Sequence, residues 1–435
     1  MNPKEARNNI DKHMLADGMS QIIDLNKSHG SWLVDARDNS EYLDLFSMFA
    51  SLSVGYNHPY LIANKERLMS SALNKPTNSD VYSVEMAEFV STMGRVAQPD
   101  YLPYAFYIEG GGLAVENALK TAFDWKVRKN LSNGKGEKGT KIIHFKECFH
   151  GRTGYTMSLT DSPDPRKTLY FPQFDWPRID NPKIDFPLEK NLDTVIQREQ
   201  KAIDQIKDAI MNNPDDIAGL IIEPIQGEGG DNHFRKEFLM ELRNLADESE
   251  FLLIFDEVQT GVGVTGHMWA HQAFEGEVKP DIISFGKKTQ VCGIFASERL
   301  DEVENNVFHE SSRLNSTWGG SLVDMVRFTI YLEIIENENL VQNAHTVGQH
   351  LSTCLDTLQS NHRDLVSNSR NRGLFGAFDL PDSDIRDKVI DTITQEGVMM
   401  LGCGKNSIRF RPHLNITPSE LDQGFEMIHR ALNKL

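Results

Sequence analysis

Between residues 104 and 285 short apolar runs alternate with longer amphipathic stretches, and this alternation leaves few architectures open. The runs cover 104–108, 141–145, 218–222, 251–255 and 281–285, and the spacing predicts helices over 113–129, 193–211 and 235–249. Strands that are apolar on both faces, separated by helices, imply an α/β fold with a mostly parallel sheet covered on both sides. The sequence around Trp32 and Tyr42 predicts a hairpin of half-buried strands. Six prolines between 163 and 187 predict a long excursion without regular structure, since proline blocks helix and central strand alike. Beyond 330, helices run to 360, and a smaller αβ pattern follows with strands near 373–380, 397–401 and 407–410 and helices over 382–395 and 418–433. The predicted organisation is a leading segment over 1–55, a large domain over 56–330 and a smaller domain over 331–435.

Charge narrows the partners. The 435 residues carry 63 Asp and Glu against 45 Lys and Arg, a formal −18 that repels phosphate backbones, so nucleic acid is not an expected partner. No apolar run approaches the roughly 18 to 20 residues that span a bilayer, and no membrane role is expected. The first residues lack the apolar core of a secretory signal, and the four cysteines are dispersed, which together predict a cytoplasmic protein with reduced thiols.

Three short patterns imitate other chemistry. Gly261 to Gly266 matches G-x-G-x-x-G, but residues 256–260 separate it from its strand and no helix pattern follows, so nucleotide binding is not supported. The run from Gly402 to Asn406 lacks the hydroxyl residue of a phosphate loop and reads as a turn between strands. His144, Cys148 and His150 have ligand-like spacing without a matching pair downstream, so no metal is expected.

The informative segments sit where strands end. Residues 219–231 place Glu223 and Glu228 after one strand, 252–261 place Asp256 after the next, and 281–288 deliver Lys287 and Lys288 after a third. In parallel sheets ligands bind beyond the carboxyl ends of the strands, so these groups face one crevice. A lysine amine, a fixed carboxylate and glycine-rich backbone amides suit pyridoxal 5'-phosphate; a structural ion pair accounts for the charges equally well at this level.

Four ordered segments then carry a resemblance: Ile221-Ile-Glu-Pro-Ile-Gln-Gly-Glu-Gly-Gly, Ile254-Phe-Asp-Glu-Val-Gln-Thr-Gly, Pro280-Asp-Ile-Ile-Ser-Phe-Gly-Lys and Asn315-Ser-Thr-Trp-Gly-Gly. Together they resemble the class III (ω-amino) aminotransferases over nearly the whole chain. Within that class, residues 110–120, 287–293 and 313–318 are most similar to the branch that acts on the ε-amino group of L-lysine. The resemblance implies a type I pyridoxal-phosphate fold, its smaller α+β domain drawn from both termini, in a homodimer. It also implies transfer of that amino group to 2-oxoglutarate, giving glutamate and 2-aminoadipate 6-semialdehyde. Ornithine or 4-aminobutyrate as donor, or a non-catalytic binding protein on the same fold, are the alternatives.

By the same resemblance Asp256 holds the pyridinium nitrogen, Val258 and Phe149 pack on the two ring faces, and Gln259 reaches the ring hydroxyl. Gly111 and Gly112, placed just before the helix, cradle the phosphate, which Thr317 of the neighbouring subunit completes. Gly110 stands where the family has a small hydroxyl residue. The lysine that forms the Schiff base is Lys287 counted from Asp281, or Lys288 counted back from Cys292-Gly293, and the strand ruler favours Lys287. Arg152 and Arg409 are the expected carboxylate clamps, Glu228 the partner of Arg409 while an ω-amine is bound, and Asn315 a contact at the substrate or cofactor edge.

Overall fold

The computed structural model describes every residue except Glu275. A seven-stranded sheet runs in the order Tyr104–Ile108, Cys292–Ala296, Ile282–Phe285, Leu252–Asp256, Ile217–Ile222, Lys141–Phe145, Arg178–Ile179. Cys292–Ala296 is antiparallel to both neighbours, and the other described pairings are parallel. The strand at 292–296 is not among the runs expected from the sequence. The proline-rich excursion likewise contributes Arg178–Ile179 at the sheet edge, where its short length leaves one proline-free pair to bond Lys141–Phe145.

Period-two burial divides the strands between two cores. Leu252 and Ile254 face helix Gly111–Ser132, packing with Val115, Ala118, Ala122 and Trp125. Leu253 and Phe255 face the opposite layer with Phe238, Leu239 and Leu242 of helix Lys236–Glu248. Helix Gly111–Ser132 starts two residues earlier than predicted, so Gly111 and Gly112 form its first turn rather than precede it.

Strands Trp32–Val34 and Glu41–Asp44 form the expected hairpin, which is extended in parallel by Val398–Met399, so residues from both ends of the chain share one sheet. A second small sheet has the order Ser367–Arg372, Phe375–Asp379, Ser407–Phe410, Leu401–Cys403. Its edge strand, Ser-Asn-Ser-Arg-Asn-Arg, has no apolar alternation to reveal it. No helix among the described residues is long and apolar enough to cross a membrane.

Gly293 shows how tightly the sheet is drawn: a Cβ there would stand 2.2 Å from the Phe106 carbonyl oxygen and 2.7 Å from Phe285 Cζ. Gly293→Ala should lower unfolding free energy by about 1–3 kcal/mol through overpacking. Gly18→Ala, where a Cβ meets nothing within 4 Å, is the control. Matching urea midpoints for the two variants would refute this account of the sheet.

Candidate active site

The carboxyl ends of the central strands open on a pocket of about 230 Å³ lined by Gly111, Gly112, Val115, Phe149, His150, Gly151, Glu223, Asp256, Val258, Gln259 and Lys287. Asp256 ends strand Leu252–Asp256, Glu223 follows strand Ile217–Ile222, and Lys287 follows strand Ile282–Phe285 by one glycine. Three consecutive sheet neighbours thus supply the ionisable groups, as expected beyond the ends of parallel strands.

Asp256 is buried and its carboxylate is held from three sides. Ser284 Oγ and the Val258 amide donate to Oδ1 at 3.0 and 3.1 Å, and His150 Nδ1 lies 2.7 Å from Oδ2. Burial works against charge on His150, but Cys148 and the Asp256 carboxylate outweigh it and raise the imidazole well above its ordinary range. Glu223 accepts from the Phe149 and Gly227 amides, both at 2.9 Å, fixing the backbone that carries Phe149. Burial pushes its carboxyl up to about 7, with Asp256 adding and His150 opposing.

The two lysines part company. Lys287, at φ 54, is partly exposed to the pocket, whereas Lys288 is buried and donates to the Gln259 carbonyl at 2.7 Å. Burial lowers the Lys287 amine to about 8, with the Arg409 and Arg411 charges pushing the same way. Lys288 is also held well below its ordinary range, by burial and then by Lys287 itself.

Gln259 lines the pocket while its Oε1 accepts from Arg411 Nε and Nη2 at 3.0 and 2.8 Å. Arg411 also pairs with fully buried Asp231, Nη1 to Oδ2 at 2.8 Å. Sequence reasoning assigns no role to Arg411 or to the His150 contact. Arg411 carries a signal, standing two residues beyond Arg409, where extended backbone returns side chains to one face.

Helix Gly111–Ser132 points its N-terminus at the same pocket, and its N-cap Gly110, at φ 94, offers no side-chain cap. Its first amides therefore have no intrahelical acceptor and form an anion cradle. A Cβ on Gly111 would come within 3.1 Å of Val258 Cγ1, so glycine permits the close approach. An amine, a buried carboxylate and an uncapped helix end around one pocket fit a ligand that carries a carbonyl, a basic ring nitrogen and a phosphate.

The remaining predicted residues lie outside this pocket lining. Arg409 Nη1 stands 3.3 Å from Glu228 Oε2, and Lys167 Nζ stands 2.8 Å from Glu228 Oε1. Burial opposes ionisation of Glu228, but Arg409 and then Lys167 outweigh it and hold the carboxyl below its ordinary range. Arg152, Asn315 and Thr317 are exposed. Among the described residues Arg152 has no ion-pair partner. The ligand-like trio has separate partners: His144 Nε2 accepts from Arg178 Nε at 3.0 Å, Cys148 Sγ donates to the Leu159 carbonyl at 3.0 Å, and His150 binds Asp256.

Comparison with known proteins places this geometry. The L-lysine-epsilon aminotransferase of Mycobacterium tuberculosis is 48% identical over 434 residues, covering 99% of this chain and 96% of that protein. The enzyme of the same name from Amycolatopsis lactamdurans is 45% identical over 433 residues, with 99% and 96% covered. A solved lysine aminotransferase from M. tuberculosis superposes with a TM-score of 0.97 at 47% identity, covering 100% of both chains. The family model described as aminotransferase class-III matches residues 14–432, and the chain belongs to that family.

Proposed function

We propose that this chain is an L-lysine 6-transaminase, moving the ε-amino group of L-lysine to 2-oxoglutarate to give glutamate and 2-aminoadipate 6-semialdehyde. The observation that carries the chemistry is the Lys287 amine and the buried Asp256 carboxylate sharing one pocket at an uncapped helix end. The substrate rests on the enzymes named for lysine at 45–48% identity.

Pyridoxal 5'-phosphate in this pocket supplies an aldehyde for amine exchange and an electron-withdrawing ring. Asp256, backed by His150 and Ser284, accepts the ring nitrogen's N–H and keeps that proton in place. Val258 and Phe149 would hold the two ring faces, Gln259 the ring hydroxyl, and the Gly111 and Gly112 amides the phosphate. Lys287 Nζ would be the group that holds the cofactor and, when free, the base placed to carry a proton to and from the carbon that bears the amine. An amine near 8 exchanges protons readily close to neutral pH; one at the ordinary lysine value would stay protonated.

Arg152 clamps the lysine carboxylate far from the reacting ε-amine. Glu228 covers Arg409 while the ω-amine end of the donor, which carries no carboxylate, is bound, then releases it for 2-oxoglutarate. Exposed Asn315 and Thr317 reach the site of a neighbouring subunit in a homodimer, where Thr317 completes the phosphate cradle. The four free cysteines suit a reducing cytoplasm.

Purified protein supplied with pyridoxal phosphate should release glutamate from L-lysine plus 2-oxoglutarate; no glutamate, or a clear preference for ornithine or 4-aminobutyrate in a donor panel, overturns the substrate. Lys287→Ala should lower kcat by about 10³-fold or more. Borohydride followed by peptide mapping should place the adduct on Lys287 and keep it there in Lys288→Met, which loses a buried amine outside the pocket lining. An adduct on Lys288 reverses the assignment.

The lowered Lys287 also predicts a pH profile for cofactor capture by unloaded protein, followed by absorbance. Only the neutral amine attacks, so the rate should rise about fivefold from pH 7 to 8 and less than about twofold from 8 to 9. A steady rise of about tenfold per unit from pH 7 through pH 9 would return the amine to its ordinary value.

A further inference from the structure

We propose that Lys167 is a positioning residue that holds the Glu228 carboxylate after it leaves Arg409, so that Arg409 can receive the dicarboxylate acceptor. The inference rests on the transaminase reading above and extends it to a residue that reading does not use.

Glu228 divides its two oxygens between two cations. Oε1 is 2.8 Å from Lys167 Nζ, while Oε2 is 3.3 Å from Arg409 Nη1. The contact that must break is thus the longer one, made by a single nitrogen, and it lacks the paired geometry that makes arginine–carboxylate contacts strong. The contact with Lys167 is shorter and can persist. The Glu228 backbone is pinned, because its carbonyl accepts from the Gly404 amide at 2.7 Å, so a change of partner falls to the side chain. Room for that swing lies in a cleft of about 620 Å³ lined by Lys167, Glu228, Arg386 and Lys405 among others, which shares no lining residue with the cofactor pocket.

Lys167 is itself located. It ends the 3-10 turn Pro165–Lys167, whose N-cap Asp164 accepts from the Arg166 amide at 3.1 Å. Its ammonium also stands 5.6 Å from the centroid of Phe149, which walls the cofactor pocket. The proline-rich excursion thereby delivers one fixed cation beside the carboxylate that has to move. Lys167 is the one ion-pair partner of Glu228 besides Arg409 among the described residues, so without it displacement from Arg409 would leave a partly buried carboxylate with neither of its present partners. The acceptor would then bind against that cost, whereas the donor half-reaction keeps Glu228 on Arg409 and escapes it.

The test uses the holoenzyme and Lys167→Met, with Lys167→Arg as the charge-preserving variant. Calorimetric titration with glutarate, a dicarboxylate without a reactive carbonyl, should show affinity reduced about fivefold in Lys167→Met and largely restored in Lys167→Arg. Single-turnover measurements should show the same asymmetry, with apparent affinity for 2-oxoglutarate falling about fivefold more than that for the amino donor. In a Glu228→Gln background, Lys167→Met should add no further loss, since no carboxylate needs holding. Equal losses in both half-reactions, unchanged glutarate affinity, or a Lys167→Met effect that persists beside Glu228→Gln would each overturn the proposal. The titration needs no turnover, so it reads Lys167 even if lysine fails as a donor, and failure of the substrate reading remains distinct.

Discussion

A carboxylate buried at the end of a central strand is the constraint around which this molecule is arranged. Asp256 is 4% exposed, and an anion removed from water is tolerated only where donors replace its hydration. Its donors come from separate places: Ser284 on the next strand, the Val258 amide just beyond, and His150 from the loop after Lys141–Phe145. Each contact commits an element to a position. Strand pairing aligns Ser284 with Asp256, and the His150 contact pulls in the loop that carries Phe149. The pocket wall and the buried anion therefore share one set of restraints.

Positive charge surrounds the opposite side. Arg411 and Asp231 are both essentially buried, a pairing whose desolvation is offset only when further hydrogen bonds engage the ions. Gln259 provides one, and the Arg411 guanidinium carbon lies 3.2 Å from the centroid of Phe375. The small sheet is tied by this pair to the loop between strands Ile217–Ile222 and Leu252–Asp256. Arg409 is brought to Glu228 by the same tie, and both guanidinium charges depress Lys287. Fixing the fold and tuning the amine are here one electrostatic arrangement.

This division explains what the amino-acid sequence discloses. Strands buried on both faces, such as Ile217–Ile222, are apolar throughout and legible. Cys292–Ala296 is equally buried, but it follows lysine and polar residues that suggest a loop, and Ser367–Arg372 is polar at a sheet edge. The family resemblance names Asp256, Gly111, Gly112, Phe149, Val258, Gln259 and Lys287, all of which line one pocket. His150 is visible only as a possible ligand, because its partner lies 106 residues away. Arg411 and Asp231, 180 residues apart, are joined by folding alone. Arg152, Asn315 and Thr317 stand exposed, outside that pocket's lining.

Strain at the lysine needs support from outside the strand that delivers it. Lys287 adopts φ 54, and Ser47, Met48, Phe49 and Ala50 adopt φ of 42, 52, 61 and 63. Left-handed backbone costs roughly 1–2 kcal/mol per non-glycine residue, so such a run persists only where its surroundings over-determine it. The Phe46 and Ser47 amides donate to Asp44 at 2.9 and 2.7 Å, and Ser47 Oγ donates to the Arg411 carbonyl at 2.6 Å. Just beyond, Ser53 Oγ donates to the Lys288 carbonyl at 3.0 Å, and Gln290 Nε2 donates to the Ser51 carbonyl at 2.7 Å. The strained turn and the residues just after it thus link two backbone segments, the Arg411 strand end and the residues after Lys287. Relaxing it would release both at once, which is why left-handed residues can persist at two places that are far apart in sequence.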